Sequence, residues 1–303
     1  MTKTSRTRRP LLLAIAFVLV LFAGDRLLGL AIERAILTSE FRYSRLYRGG
    51  MDMDIVVFGN SRALNVVDAP TASRSLGRPV FNASFPGLDT TSVAPLIVDY
   101  LRLNEPPDVL ILEITGLTVE PGTAYDMFAM YFGRSPTMRQ LLRTYQPRRA
   151  LGCSLSHVFR ANGPMVQRSL VYMSSNDQGW ITPAQRVIPK ELLDQPYTNT
   201  TLSIHPANLE ALRTIVQACE KAGTRLVPMI APYAPGSLGD WDIAGDYRRI
   251  LGDAAPNCPP IADYSHAIDQ VNAFADRVHT NSRGAAILLE RMKTDGILTP
   301  SDQ

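Results

Sequence analysis

Three polar residues from opposite ends of the chain have the types needed for nucleophilic catalysis. Ser61 follows a short apolar run, and Asp276 and His279 stand three residues apart in a polar stretch near the carboxyl terminus. An imidazole can take the proton of a serine hydroxyl, and a carboxylate can hold that imidazole in one tautomer. We therefore predict that Ser61 attacks a carbonyl carbon, with His279 as base and Asp276 as its orienting partner.

The alternative for Ser61 is a structural one. Serine is a common helix cap, and for Ser61 taken alone the cap is the better interpretation. The Asp-x-x-His pair favours the nucleophile, because a catalytic triad is recognised by the roles of its members and not by their spacing. Arg62 is expected to pair with a local carboxylate, with attraction of an anionic glycan as the alternative.

The stretches around these residues resemble the SGNH (GDSL-like) hydrolase family, over roughly residues 54–118 and 206–295. Its first block is matched by Gly59-Asn60-Ser61-Arg62, with asparagine where better-known members have aspartate. Its second block is matched by Val80-Phe-Asn-Ala-Ser-Phe-Pro-Gly87. The last and most specific block is matched by Asp276-x-x-His279, followed by Asn281 and Gly284.

The third block of the family is not matched. The family usually has Gly-x-Asn-Asp after its third strand, whereas this chain continues Ile114-Thr-Gly-Leu-Thr118. Losing one oxyanion donor typically costs about 100- to 1000-fold in turnover. The resemblance implies that the amides of Ser61 and Gly87 bind the oxyanion, and we expect the third donor to come from Asn82 or Thr115.

Within the family, the chain is most similar to membrane-anchored, extracytoplasmic members that move or remove acyl groups on bacterial envelope polysaccharides. This resemblance implies an ester hydrolase or O-acyltransferase, with acetyl as the favoured group and an acyl-enzyme on Ser61. The implied partners are a polysaccharide and a membrane protein that donates the acyl group. The alternatives are a catalytically weak glycan-binding or assembly subunit, and a lipid or peptide esterase with a long apolar groove.

The amino terminus has the pattern of a membrane anchor. Residues 10–32 are apolar except for Asp25-Arg26 and long enough to cross a bilayer. Four basic residues in the tail 1–9 place that end in the cytoplasm and send the remaining chain across the inner membrane into the periplasm. A cleaved signal peptide with residues 11–24 as its apolar core is the alternative, but no small-x-small cleavage site follows.

The charge of the remaining chain excludes one class of partner. The formal net charge is +3, but without the four basic residues of the tail 27 basic residues stand against 28 acidic ones. Nothing in this balance indicates a nucleic-acid partner. No cluster of histidine, cysteine or carboxylate residues has metal-ligand spacing, so neither a metal nor another cofactor is predicted.

From residue 54 onward, apolar strand-like runs alternate with helical patterns, which predicts an α/β domain over 54–303 with a parallel sheet covered on both faces. The expected architecture is a three-layer, flavodoxin-like fold. Helices are predicted over 90–104, 206–221 and 283–292. The five predicted strands are 54–58, 79–83, 108–114, 224–230 and 260–264.

Two segments interrupt this pattern. Residues 33–53 are expected to form a membrane-proximal stalk or helix. Residues 120–205 are expected to be an insertion or lid over the substrate entrance, mostly helical in its first half, whose aromatic residues form either a sugar-stacking surface or the insertion's own small core. Cys219 is predicted to be a buried hydrophobe, and a pairing of Cys153 with Cys258 is left open.

Overall fold

The computed structural model describes residues 8–122, 124–177, 186–193 and 201–299. The chain forms two compact units. The helical unit comprises Met1–Ser44 and Tyr125–Ser175, and the sheet unit comprises Arg45–Ala124 and Asn176–Gln303.

The described residues form the following elements in chain order. The strands are β1 (Ile55–Phe58), β2 (Val80–Asn82), β3 (Val109–Glu113), β4 (Arg225–Ile230) and β5 (Ala262–Asp263). The helices are α1 (Arg8–Leu37), α2 (Arg42–Arg48), α3 (Ser61–Val66), α4 (Ala69–Leu76), α5 (Thr90–Leu103), α6 (Pro136–Tyr145), α7 (Pro147–Leu155), α8 (Pro164–Val171), α9 (Lys190–Leu193), α10 (Pro206–Ala222), α11 (Ile243–Ala254) and α12 (Ser282–Thr294). Short 3-10 helices lie at Ile114–Thr118, Tyr125–Tyr131, Val158–Ala161 and Val271–Ala273.

The sheet unit is built on one five-stranded parallel sheet. Its strand order is β2-β1-β3-β4-β5. Each of the five strands lies within two residues of its predicted bounds, so the prediction of an α/β domain with a five-stranded parallel sheet is confirmed. The three helices predicted from apolar periodicity are also present, as α5, α10 and α12.

Helices cover both faces of this sheet. Alternate side chains of each strand point to opposite faces, and both sets are apolar here. One face, with Ile55 and Val57 of β1, forms a buried cluster with residues of α3, α4 and α12. On the other face, Phe58 and Phe81 contact the ring of Tyr100 in α5, and α5 packs against α10. Burial on both faces explains why the strands have continuous apolar sequences.

Gly59 ends β1 and lets the chain turn into α3. Its φ of +154° is rarely adopted by other residues, and an added Cβ would lie 2.8 Å from the Cβ of Ala63 and 2.9 Å from that of Glu113. The turn therefore requires a residue without a side chain. It brings Ser61 to the carboxyl end of the sheet, where α/β folds bind their ligands.

The helical unit contains one long apolar helix. Residues Arg9–Leu37 of α1 are long and apolar enough to cross a membrane. Beyond it, the backbone amide of Glu40 donates to the carbonyl of Tyr172, whose ring stacks on Phe41 at 5.7 Å. Tyr43 packs edge-on against Phe128 at 5.0 Å. The end of α1 thus continues into a folded core with residues 125–172.

The segment 33–53 contains a buried helix. Tyr43, Leu46 and Tyr47 of α2 have no exposed surface, and the boundary between the two units falls inside this helix. The hydroxyl of Tyr47 donates to Asp99 in α5 at 2.9 Å. The aromatic side chains of this segment therefore serve packing within the fold.

The first half of the predicted insertion is helical, as expected. Tyr125, Phe128, Tyr131 and Phe132 are buried, which argues against a sugar-stacking surface formed by these four residues. Their core also includes Tyr43 from outside the insertion, so it is not the insertion's own. Trp180 and Tyr197 lie outside the described residues. Cys153, Cys219 and Cys258 are free thiols, with Cys219 buried as predicted.

We predict that Gly59→Ala destabilises the protein by about 2 kcal/mol or more, because the new methyl group would overpack the turn and occupy an unfavourable φ. The matched control is Gly252→Ala in α11, where nothing lies within 4 Å of the added Cβ. The control is expected to be neutral or stabilising by up to about 1 kcal/mol. Urea unfolding followed by circular dichroism measures both, and equal free energies of unfolding for the two variants would contradict this account.

Candidate active site

Ser61 is the first residue of α3, and Asn60 is the cap of that helix. The Oδ1 of Asn60 accepts the N–H of Arg62 at 2.8 Å, as a capping side chain does. The Ser61 side chain is therefore not needed as a cap. Its Oγ lies 2.8 Å from Nε2 of His279, which is hydrogen-bonding distance for a nucleophile and its base.

His279 and Asp276 form a closed local unit. Nδ1 of His279 lies 2.9 Å from Oδ2 of Asp276 and 3.1 Å from its Oδ1. The same carboxylate accepts the backbone N–H groups of Val278 and His279, both at 2.9 Å. The three-residue spacing thus lets Asp276 hold both the ring and the backbone of His279. The structure brings together all three residues predicted for the triad.

The electrostatics of Asp276 favour the charged form. Burial tends to raise the pKa of this carboxyl group, but hydrogen bonds from the His279 ring and from the amides of Val278 and His279 outweigh burial and lower the pKa to about 2. Asp276 is therefore ionised at neutral pH. An ionised carboxylate fixes the proton on Nδ1 of His279 and leaves Nε2 free to accept the serine proton.

Two residues that the sequence did not single out, Asn65 and Thr280, link the helix of Ser61 to the loop of His279. The Nδ2 of Asn65 donates to the carbonyl of Ser61 at 2.7 Å. The hydroxyl of Thr280 in turn donates to the carbonyl of Asn65 at 2.9 Å. This chain of bonds connects α3 directly to the loop of His279, and no motif in the sequence reveals it.

The loop that carries His279 is held from two further sides. Asn281 caps α12 through Arg283 and Gly284, and its Nδ2 donates to the carbonyls of Arg186 and Asn272. The amide of Ile188 donates to the carbonyl of Phe274 at 2.8 Å. The described part of the insertion's second half, residues 186–193, thus helps to hold the loop of His279 in place.

A buried ion pair lies directly behind Ser61. Nε of Arg62 is 3.3 Å from Oε1 of Glu113, and the two side chains are 7% and 0% exposed. Nη2 of Arg62 donates to the carbonyls of Ala231 and Pro232. The expected pairing of Arg62 with a local carboxylate is therefore confirmed, and it joins the ends of β1, β3 and β4.

Glu113 is the centre of this network. Its carboxylate also accepts the N–H and the hydroxyl of Thr115 and the amide of Ala231. Burial raises the pKa of Glu113, and the charge of Arg62 with the hydrogen bonds from Thr115 and Ala231 opposes that rise. A buried carboxylate with this many donors is a positioning group for the site and not a free acid.

The two backbone amides predicted to bind the oxyanion, those of Ser61 and Gly87, are not used by the described part of the fold. Ser61 is the first residue of its helix, so its N–H has no acceptor within the helix. The amides of Ala83 and Phe85 donate to the carbonyls of Val57 and Gly59, which extends the pairing of β2 with β1 toward Ser61. Gly87 follows two residues later at an exposed turn with φ +76°, and its amide has no acceptor among the described residues.

The predicted side-chain donors to the oxyanion do not fit that role. Asn82 is fully buried, and its Nδ2 donates to the carbonyls of Ala63 and Val67, so both of its N–H groups are used. The hydroxyl of Thr115 donates to Glu113 at 2.7 Å. The expectation for Asn82 and Thr115 is therefore corrected, because each is committed to holding the fold.

A polar cavity of about 250 Å³ lies beside Thr115. The hydroxyl of Thr115, in the cavity wall, accepts a hydrogen bond from Nδ2 of Asn60 at 3.1 Å. The ring centroid of Tyr233, also in the wall, lies 3.8 Å from the guanidinium carbon of Arg62. The cavity wall thus contacts both chain neighbours of Ser61. It is lined by Thr115, Thr118, Thr201, Leu202, Ser203, Tyr233, Trp241, Ile243 and Tyr247.

No protein-family model matches this chain, and no curated protein matches it either.

We predict that Arg62→Met destabilises the protein by about 3–5 kcal/mol, because it leaves Glu113 buried without its counter-charge. The matched control is Arg249→Met, which removes a largely exposed arginine paired with Asp246 and is expected to cost no more than about 1 kcal/mol. Urea unfolding at neutral pH measures both losses. Similar small losses for the two variants would show that the buried pair is not a major constraint.

Proposed function

We propose that this protein is a serine-dependent ester hydrolase or O-acyltransferase of the SGNH type. The observation that carries the proposal is the continuous series of hydrogen bonds from Ser61 through His279 to Asp276. It is supported by the position of this series at the carboxyl edge of a parallel sheet and by the uncommitted amides of Ser61 and Gly87. Nothing about packing or glycan binding alone requires a serine, a histidine and an aspartate in this arrangement.

The first half of the reaction forms an acyl-enzyme. Oγ of Ser61 attacks the carbonyl carbon of an ester while Nε2 of His279 takes its proton. The negative charge that develops on the carbonyl oxygen is stabilised by the amides of Ser61 and Gly87. The carbon–oxygen bond to the leaving alcohol then breaks, and His279 returns the proton to that alcohol.

The second half releases the acyl group by the reverse steps. His279 removes a proton from water or from a sugar hydroxyl, whose oxygen attacks the acyl carbon and frees Ser61. Water as acceptor makes the protein an esterase, and a sugar hydroxyl makes it an O-acyltransferase. We propose transfer of an acetyl group, because the chain resembles anchored polysaccharide O-acyltransferases and because a cavity with polar and aromatic lining lies next to Asn60 and Arg62.

The cavity beside Ser61 offers two kinds of contact that sugars use. Trp241 is partly exposed and provides aromatic surface on which the apolar face of a sugar ring can stack. Tyr233 and Tyr247 in the cavity wall are 7% and 0% exposed and form its buried backing. Thr118 and Ser203 provide hydroxyl groups for its polar edge. The indole N–H of Trp241 donates to Asp246 at 2.9 Å, which fixes the orientation of the ring before a ligand arrives.

We further propose that α1 is a single-pass anchor in the bacterial inner membrane. The support is its length and apolar composition together with the basic residues that precede it. This topology places the catalytic domain in the periplasm, beside envelope or exported polysaccharide. A membrane protein that supplies acyl groups is the partner that this arrangement needs.

We predict that Ser61→Ala and His279→Ala each abolish hydrolysis of p-nitrophenyl acetate, because the nucleophile or its base is lost. Asp276→Asn is expected to lower kcat by about 10,000-fold, because it allows the wrong tautomer of His279. Ser75→Ala, at an exposed serine of α4, serves as the control. Steady-state rates on the purified protein and mass spectrometry of an acetyl adduct on Ser61 provide the two measurements.

One outcome would contradict the proposed serine mechanism. Equal background rates for the wild type and the three triad variants, with no adduct on Ser61, would reject esterase chemistry on this ester. The glycan-binding or assembly subunit would then be the function to pursue. An adduct that forms on the wild type but turns over slowly in water would favour transfer over hydrolysis.

We predict that Trp241→Ala raises KM for an oligosaccharide acceptor by about tenfold, the effect of losing roughly 1.4 kcal/mol of stacking free energy. Trp241→Phe retains an aromatic face and is expected to lose much less. Acetyl transfer from p-nitrophenyl acetate to a panel of neutral and uronic-acid oligosaccharides measures this effect. A KM that is the same for the wild type and both variants would exclude the cavity as the acceptor site.

A further inference from the structure

The apolar sequence of α1 contains one charged pair, Asp25-Arg26. These residues lie six to seven positions before Ile32, or about 10 Å along the helix axis from the end of the expected span. An uncompensated charge in a lipid environment costs several kcal/mol. Two ionic side chains at this position therefore require partners that are present at the same depth.

The partners come from the segment that follows α7. The Asp25 carboxylate accepts the hydroxyl of Ser156 and the backbone amides of His157 and Val158, the amides at 2.8 and 3.3 Å. Nη2 of Arg26 donates to the carbonyl of Leu155 at 3.2 Å. Every one of these contacts lies within the helical unit.

A glycine permits this close approach. An added Cβ on Gly29 would lie 2.3 Å from the Cβ of His157 and 2.9 Å from its carbonyl carbon. Glycine at a helix surface is the usual means by which a membrane helix lets another backbone approach closely. The segment 155–158 is thus held against α1 at the level of residues 25–29.

The neighbouring helix α7 has an unpartnered apolar face at this level. Arg148, Leu151 and Leu155 are spaced to lie on one face of α7. Leu151 and Leu155 are 60% and 67% exposed, whereas Ala150 and Cys153 on the opposite side are buried. Exposed leucines next to a basic residue are the pattern of a helix that lies in a membrane interface.

The charge of the surrounding segment agrees with such a location. Residues 125–175 contain seven arginines and a single acidic residue, Asp126. Arg134 pairs with Glu33, and Arg149 and Arg160 donate to backbone carbonyls. Arg143 and Arg148 are exposed, and exposed arginines are attracted to anionic phospholipid headgroups. The arginine side chains can also keep their charged ends at the headgroups while their stems cover apolar surface.

We infer that α7 lies in the periplasmic leaflet of the bilayer, with Leu151 and Leu155 among the acyl chains and the exposed Arg148 on the same face at the anionic headgroups. The inference rests on the proposed membrane anchoring of α1 but not on the proposed chemistry. It gives the chain a second membrane contact besides the spanning helix. The partner is the lipid surface itself.

The test places a tryptophan on this face in the full-length protein. Leu155→Trp and Leu151→Trp are made in a background where Trp180 and Trp241 are replaced by phenylalanine, so that only the introduced indole emits. The protein is reconstituted into vesicles of phosphatidylethanolamine and phosphatidylglycerol that contain phosphatidylcholine brominated in the upper part of its chains. Both variants are expected to show blue-shifted emission and strong quenching by the brominated lipid.

Val171→Trp is the matched control. Val171 is 65% exposed, close to the value for Leu155, and belongs to the same unit. However, it adjoins Tyr172, which contacts residues 40–41 beyond the end of α1. Leu37 is eleven residues past Arg26, or about 17 Å along the axis, so the control position lies outside the bilayer and is expected to be quenched by iodide in the aqueous phase.

Two results would overturn the inference, and they are distinguishable. If the protein floats with the vesicles but the Leu155→Trp and Leu151→Trp variants are quenched no more by brominated lipid than the Val171→Trp variant, α7 is not in the membrane although α1 anchors the chain. If the wild type does not float with the vesicles, the anchor itself is rejected and the inference fails with it. Quenching of the first two variants severalfold above the control supports it.

Discussion

The site depends on a buried ion pair more than on any other interaction. Arg62 and Glu113 are almost entirely removed from water, and two charges in such a place are stable only if their remaining donors and acceptors are satisfied. The carbonyls after β4, the amide of Ala231 and the side chain of Thr115 fulfil most of this requirement. The carboxyl ends of β1, β3 and β4 are thereby connected next to Ser61. These connections hold the serine in its position.

This constraint also explains why the oxyanion side of the site differs from the expected pattern. Thr115 occupies the region where an asparagine donor was expected, and its hydroxyl is already used by Glu113. Asn82 is used in the same way by carbonyls of Ala63 and Val67. Side chains near the serine therefore hold the framework, while the uncommitted donors are backbone amides.

Much of the fold could be predicted from the sequence because each strand of a doubly covered parallel sheet is a continuous apolar run. The pairing of Asp276 with His279 could also be predicted from the sequence. Asp276 binds both the backbone and the ring of His279, and this double contact requires the two residues to be close in the sequence. The bonds from Ser61 through Asn65 to Thr280 could not be predicted. They join residues more than 200 positions apart. An asparagine in a helix and a threonine in a loop form no sequence pattern from which such a contact could be predicted.

The organisation of residues 33–53 and 120–205 was harder to predict for a related reason. Their elements are short, and their burial depends on partners far away in the chain, such as Tyr43 with Phe128. Residues 186–193 gave no periodic signal, yet their backbone supports the loop of His279. Local sequence patterns predict helices and strands that have a regular apolar face. They do not predict segments whose structure depends on individual backbone hydrogen bonds.

The separation of Ser61 from His279 along the chain has a consequence for folding. The hydrogen bond between the two side chains joins residues 218 positions apart. It cannot form until α3 and the loop of His279 have both been placed at the same edge of the sheet. The contact is therefore a property of the whole sheet unit, and no shorter segment of that unit contains it.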